Sequence, residues 1–458
     1  MTRMKARSQG GTGLIPGILA VLVLLLAFTA PARAMTVEKV TSPGGIEAWL
    51  VEDHSRKVLS LDLAFAGGAA NDPADRAGLS ELVAISLNEG AGDLDSGAFQ
   101  GKLADLSSSL YFSAGQDFLE GELQTITPSR DAAFDLLRQA LISPRFDAPA
   151  VERMRDELIK TLAQRAADPA SAARDIWYRA SFPNHPYGRQ VYGTAKTLRA
   201  IGLDDLHLYA RQRFARHPLY IAVVGDVTPD ELKPLLDKTF GALPEAQAAM
   251  APVRDAAPES SEKPLLLRRV VPQSVIVFGQ SGLPIPDHDY YTALVLNDIL
   301  GGSLFTSRLG REIREKRGLA YSISTELRDQ LHTHLLIGAA GTRNQDAGRT
   351  LALIRQQWQH LQANGPTAQE LADAKTYLNG SYPLALTSTH AIGQRLLFFQ
   401  EEGLPANYLD ARKARIDAVT LEDARRVAHN LLDPRHLTFA IVGSPSDITP
   451  DQVIDLSE

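Results

Sequence analysis

Two stretches of this 458-residue chain match one another at a constant offset of 218 residues. Leu219-Tyr-Ile-Ala-Val-Val-Gly225 pairs with Leu437-Thr-Phe-Ala-Ile-Val-Gly443, and the same offset sets Ile201 against Val419, Leu203 against Leu421, Asp205 against Asp423 and Ala210 against Ala428. Each copy runs from an acidic helix start through an amphipathic helix into a β-branched strand that closes on glycine. Two unrelated α/β stretches would not hold one gapless register over about 25 residues, so the chain reads as one design built twice.

The composition break between the copies is Pro244–Pro264, PEAQAAMAPVRDAAPESSEKP, which is rich in Ala, Pro, Glu and Ser and has little apolar periodicity. It reads as a linker over residues 244–264 between an N-terminal domain at 35–243 and a C-terminal domain at 265–458. Ile46–Val51 and Leu59–Ala66 have strand patterns joined by a polar turn, and Leu110–Ala114 and Phe118–Ile126 alternate as paired strands do. Leu79–Leu87 and Ser96–Leu106 have helical patterns. In the second half Ser274–Gly279, Tyr321–Leu327 and His332–Ala339 are strand-like, Tyr290–Leu300 is helical, and Ser303–Lys316 is a helix that Gly318 is placed to end. The expected fold is α+β: two homologous halves, each a mostly antiparallel sheet with helices packed on one face.

Residues 1–34 read as an export signal. Arg3, Lys5 and Arg7 are followed by the apolar run Ile18–Ala30, and Ala32-Arg33-Ala34 has the small-x-small form of a cleavage site. The run falls short of the roughly 20 residues that span a bilayer, so no stable membrane insertion is expected; retention as an uncleaved anchor is the alternative. Loss of this segment removes four bases and takes the formal net charge from −7 to −11. An acidic, well-mixed surface does not suit a nucleic-acid partner. The chain has no cysteine, which excludes a thiol nucleophile, a cysteine metal site and a lipid-modified N-terminal cysteine. The periplasm is the expected compartment, with secretion second.

Much familiar chemistry is missing. There is no Gly-x-Ser-x-Gly elbow, no phosphate-binding Gly-x-x-x-x-Gly-Lys-Ser/Thr loop and no His-Glu-x-x-His, and none of the eleven histidines has a glutamate three residues later. His332 and His334, two apart, would share one face of a strand, but two ligands do not make a metal site. His185, in Asn184-His-Pro-Tyr-Gly188, reads as a loop residue held by structural hydrogen bonds.

The stretch Arg76-Ala-Gly-Leu-Ser-Glu-Leu-Val-Ala-Ile-Ser-Leu-Asn-Glu-Gly90 follows a strand pair and opens a helix. It resembles the segment of the pitrilysin/insulinase-type zinc peptidases that carries their inverted motif, Gly-Leu-x-His-x-x-Glu-His. Asp168-Pro169, Asn184–Gly193 and, above all, Leu300-Gly-Gly-Ser-Leu-Phe-Thr-Ser-Arg-Leu-Gly-Arg-Glu-Ile-Arg-Glu-Lys-Arg-Gly-Leu-Ala-Tyr321 also resemble that family, over nearly all of the chain beyond the leader. Carried across, the first zinc histidine falls on Glu81, the general-base glutamate on Ala84, the second histidine on Ile85, and the later glutamate ligand at or near Thr161, with Glu157 one turn earlier. Zinc catalysis needs three protein ligands, an open position and a proton acceptor. Ala84 accepts no proton, Ile85 binds no metal, and no histidine lies between His54 and His185. This chain is therefore expected to hold no zinc, and Glu81 either replaces a lost function or serves the helix start.

The resemblance implies a different role for the second half. In the family an arginine, with a tyrosine seven residues later, reaches toward the substrate from the C-terminal half; here these are Arg314 and Tyr321. A guanidinium and a phenol at a helix–strand junction could donate to a peptide carbonyl or a developing oxyanion. Gly301 and Gly302 leave room for close approach of backbone or substrate, or simply form a helix-entry turn. What the resemblance implies is one half of a clamshell: a non-catalytic, peptide-binding subunit whose zinc sits on a motif-bearing partner of the same family. The alternative is a peptide-binding or assembly module of the same fold with no peptidase partner.

Overall fold

The first half builds a six-stranded sheet from β1 (Glu38–Thr41), β2 (Glu47–Glu52), β3 (Val58–Ala66), β4 (Ser109–Ala114), β5 (Phe118–Ile126) and β6 (Leu219–Gly225). The second half builds another from β7 (Leu265–Arg268), β8 (Gln273–Ser281), β9 (Ala320–Gln330), β10 (Thr333–Arg343), β11 (Thr438–Gly443) and β12 (Gln452–Val453). This computed structural model describes residues 36–261, 263–303, 305–448 and 452–453; the leader read at 1–34 lies outside them. Within the described residues no helix is long and apolar enough to cross a membrane.

Read from one edge, the first sheet runs β4-β5-β3-β6-β2-β1 and the second β9-β10-β8-β11-β7-β12, so the same order recurs place for place. The duplicated helix–strand unit supplies β6 and β11, each antiparallel to the strand in third place and parallel to the one in fifth. Only the last place differs: β1 lies antiparallel to its neighbour β2, whereas β12 returns from the far end of the chain and lies parallel to β7. The α+β reading and the duplication hold.

The helices that position the site are α1 (Leu79–Ser86), α2 (Arg130–Ile142), α3 (Ala148–Ala167), α4 (Pro169–Ser181) and α5 (Leu203–Arg213) in the first half. The second half contributes α6 (Tyr290–Asn297), α7 (Ala347–Asn364), α8 (Ala368–Ser381), α9 (Thr389–Glu401) and α10 (Leu421–Leu431). Leu59, Leu61, Leu63 and Phe65 of β3 enter one core with Leu82 and Val83 of α1 and Phe134 and Leu137 of α2. Such alternation normally leaves the other face to water. Here Ser60, Asp62 and Ala64 are buried as well, because α9 of the second half lies across β3 and β6.

That crossing is reciprocal. Helix α4 of the first half lies on β8 and β11, where Trp177 donates its indole N–H to the Thr438 carbonyl at 3.1 Å. A Cβ at Gly279 would come within 2.9 Å of Trp177 Cζ2, so glycine there is what admits the ring. On the other side, Gln400 of α9 donates to the Ile221 carbonyl of β6 at 3.0 Å. Each sheet thus has its own helices on one face, as expected, and one helix borrowed from the other half on the opposite face.

Two helical readings need correction. Helix α6 stops at Asn297 and passes into a π-turn over Asp298–Gly302, and the helix expected over 303–316 is a π-turn over Gly310–Glu315. A wider turn brings residues five apart onto one side. Arg308, just before the second turn, and Ile313, within it, are both buried. The stretch read as a linker is irregular but fastened along its length. Gln247 donates to the Ala66 and Arg213 carbonyls, and the backbone N–H groups of Ala256 and Glu259 donate to the His332 and Ser181 carbonyls.

Candidate functional site

Helix α1 carries the positions where the resemblance puts zinc ligands. Its first turn is not capped by Ser80-Glu81, one of the two roles that the sequence left open for Glu81. Asp72 does this work, accepting from the backbone N–H groups of Gly78 (3.0 Å) and Ser80 (3.1 Å) and from the Ser80 hydroxyl (3.2 Å). Burial pushes the Asp72 carboxyl up to about 7. Glu81 is 7 % exposed and accepts from the Ala114 N–H at 2.7 Å, fastening α1 to the end of edge strand β4; burial raises this carboxyl too. Ala84 is fully buried, and Ile85 packs against the first-half core, as do Ile159 and Leu162 of α3. On the same helix Thr161 is half-buried and Glu157 exposed. One carboxylate already held by a backbone donor, a methyl group and a branched alkyl chain do not fit a zinc ion. Two groups of three side chains among the described residues could surround an ion, Asp62–Glu122–His390 and Asp287–His288–Asp289, and neither includes a residue of α1.

The second-half pair does come together. Arg314, on the π-turn, donates from Nε to the Tyr321 carbonyl at 3.1 Å, and its guanidinium lies 4.6 Å from the centre of the Phe305 ring. Tyr321, second residue of β9, is 81 % exposed, so its phenol is free to meet something outside the chain. Both line an open cleft of about 420 Å³ with Gln273, Gly318 and Arg343. Gly318, at φ +59°, ends the preceding turn. The two glycines do not join them. A Cβ at Gly301 would meet Thr325 Oγ1 at 2.6 Å, so this residue lets the π-turn pack against β9. Gly302 is exposed and faces a separate cavity of about 360 Å³ that Arg174 of α4 also lines.

Residues 200–378 match the family description "Peptidase M16 inactive domain". Over 428 residues the chain is 27 % identical to "Non-peptidase homolog YmxG" of Helicobacter pylori, covering 93 % of this chain and 98 % of that protein. It is 29 % identical over 326 residues to an uncharacterized zinc protease of Streptomyces coelicolor, covering 69 % of each. The crystal structure of a peptidase M16 inactive domain from Pseudomonas fluorescens superposes with a TM-score of 0.83 at 25 % identity, covering 91 % of this chain and all of that one. The chain resembles the M16 peptidase family over most of its length. M16 is the pitrilysin/insulinase type named by the motif resemblance, and in this chain the first-half motif positions are taken up by packing.

What sequence reading missed in this chain is a polar cluster where α9 crosses β3. Asp62, 2 % exposed, accepts from the Ser60 hydroxyl at 3.2 Å and stands 3.1 Å from His390 Nδ1; that nitrogen lies 2.9 Å from Glu122. Burial, and then the neighbouring Glu122 charge, push Asp62 up to about 8. Further along α9, Glu401 is pushed up to about 9 by burial and by the charges of Glu120, Glu402 and Asp117. The one visible signal was an aspartate inside an apolar strand; its partners are 60 and 328 residues away. The histidine pair divides: His332 faces Asp255 at 3.0 Å and His334 pairs with Asp329, so the two rings serve different carboxylates. His185 is a loop anchor, 2.7 Å from the Arg254 carbonyl.

Proposed function

We propose that this chain is the non-catalytic, substrate-binding subunit of a heterodimeric zinc endopeptidase, working in the periplasm after removal of its leader, with secretion as the second choice. The observation that carries this reading is the contrast between α1, whose motif positions are built into the core, and the Arg314–Tyr321 cleft, which keeps hydrogen-bond donors open to solvent. The zinc and the general base belong to a motif-bearing partner of the same family, and the two chains close on a peptide like a clamshell. In that complex the Phe305 ring and the Tyr321 carbonyl hold the Arg314 guanidinium in one orientation. Arg314 and the Tyr321 phenol then donate to a carbonyl of the bound peptide, supplying positioned donors without supplying the nucleophile.

The decisive experiment is to purify the chain alone and with a motif-bearing paralogue. Alone it should bind no stoichiometric zinc and cut no peptide; together the pair should cut, and Arg314→Ala should reduce turnover by roughly tenfold or more. Zinc-dependent cleavage by the isolated chain, or full turnover with Arg314→Ala, would overturn the reading. A relative that is itself named a non-peptidase homolog favours a second reading, a peptide-binding or assembly module with no peptidase partner. Co-purification of a subunit carrying His-x-x-Glu-His separates the two.

A further inference from the structure

Asp298 opens the π-turn that follows α6 and is 7 % exposed. Among the described residues its carboxylate has no hydrogen-bond or ion-pair partner; it faces a cavity of about 460 Å³. A buried carboxylate without a donor has lost its hydration and gained nothing in return. Burial alone lifts this carboxyl to about 6.

The other acids on the wall are already engaged. Glu370 accepts from Arg308 Nε and Nη2 at 2.8 Å each and from the Thr367 N–H at 2.8 Å. Asp373, exposed, accepts from the Gln369 amide at 2.8 Å. Arg311 shares the wall, but its guanidinium leans toward Glu370 at 3.7 Å. Asp298 is thus the buried acceptor left for an incoming cation. These carboxylates do not form a three-ligand set for a metal ion. The remaining lining suits a hydrocarbon stem: Ile299 and Ala374 are on the wall, and the rings of Phe305 and Tyr377 are exposed toward solvent. A Cβ at Gly302 would come within 3.3 Å of Asp298 Oδ1, so glycine there keeps the carboxylate uncrowded.

We infer that this cavity takes the lysine or arginine side chain of a peptide bound across the adjoining Arg314–Tyr321 cleft. Phe305 connects the two places, since its ring lines the cavity and also lies under the Arg314 guanidinium. The Asp298 carboxylate receives the ammonium or guanidinium, and the Tyr377 and Phe305 rings flank the stem. The inference rests on the peptide-binding reading and names a side chain that such a peptide carries.

The test is fluorescence anisotropy of the full chain with two labelled, end-blocked peptides that differ only in lysine against norleucine. The lysine peptide should bind roughly tenfold or more tightly, and Asp298→Asn should abolish that preference. A melting curve checks that this variant is folded; Tyr377→Ala, at the exposed rim, should independently weaken the lysine peptide several-fold more than the norleucine one. Equal binding of both peptides by the unaltered chain overturns the cavity assignment and leaves peptide binding standing. A lysine preference that survives both substitutions places the cation elsewhere and overturns the assignment as well. Binding of neither peptide overturns this inference and the peptide-binding reading together.

Discussion

Helix α1 in the first half and the π-turn before β9 in the second hold the family's two landmark segments on sheets of the same strand order, and the chain uses them in opposite ways. At α1, positions that resemble metal ligands have been drawn inward, with Ala84 sealed, Ile85 in apolar contact and Glu81 tied to the Ala114 N–H. At the π-turn, Arg314 and Tyr321 are held at the rim of a cleft and the phenol stays in water. The scaffold is common to both, so the difference lies in which side chains each segment carries. A position freed from catalysis is filled by the neighbouring core, because an apolar side chain gains burial there and a charged one has no counter-ion.

The largest test attacks the link between the halves. Trp177 belongs to the first half by sequence and to the second by packing. Trp177→Ala should cost about 3–5 kcal/mol in a chemical denaturation series and leave one transition. Two separated transitions would mean that the halves are independent and the comparison one of separate modules.

Next comes the sealed motif. Ala84→Glu restores the family's general base in sequence but places a carboxylate at a fully buried position in the first-half apolar core. It should cost on the order of 3 kcal/mol, read as a lower denaturation midpoint, and confer no zinc binding. A variant as stable as the parent would show that α1 is still an open site.

A smaller effect, of about 1–3 kcal/mol, belongs to Glu401→Gln. With a folded pKa of about 9 against roughly 4.3 unfolded, the native state holds a proton that the unfolded chain has released between those values. This group's contribution therefore falls as pH rises through that window, and no penalty remains below it. Glu401→Gln should be more stable than the parent at pH 9, with the gap closing toward pH 4. A gap independent of pH would show that burial and the neighbouring carboxylates do not set this group's charge.

The smallest expected change is structural silence. Arg314→Ala and Tyr321→Phe should shift stability by no more than about 0.5 kcal/mol, while altering peptide cleavage in the assembled pair. A large loss of stability would make the second-half pair structural, like its first-half counterpart.

Much of the architecture was legible because its signals are local. The alternation in Phe118–Ile126 gave that strand its full span, and the matched stretches announced two units, seen as α5 with β6 and α10 with β11. The degenerate motif could be read residue by residue, since a missing ligand is a fact of sequence. The π-turns were not legible, because an i→i+5 turn differs from an α-helix only through the tertiary contacts that favour it. Asp298 drew no attention in a run that read as the end of a helix.

The sequence by itself determined that this chain is two copies of one α+β design, and its resemblance to the zinc peptidases implied that the motif positions of the first copy, Glu81, Ala84 and Ile85, hold no zinc. Tertiary structure alone decided that each sheet is closed by a helix from the other copy, that Glu81 serves a backbone N–H, and that buried Asp298 and half-buried Glu401 have raised proton affinity. Local pattern records which face of an element is apolar. Which distant element comes to cover the other face, and what that burial does to a charge, depends on contacts hundreds of residues apart.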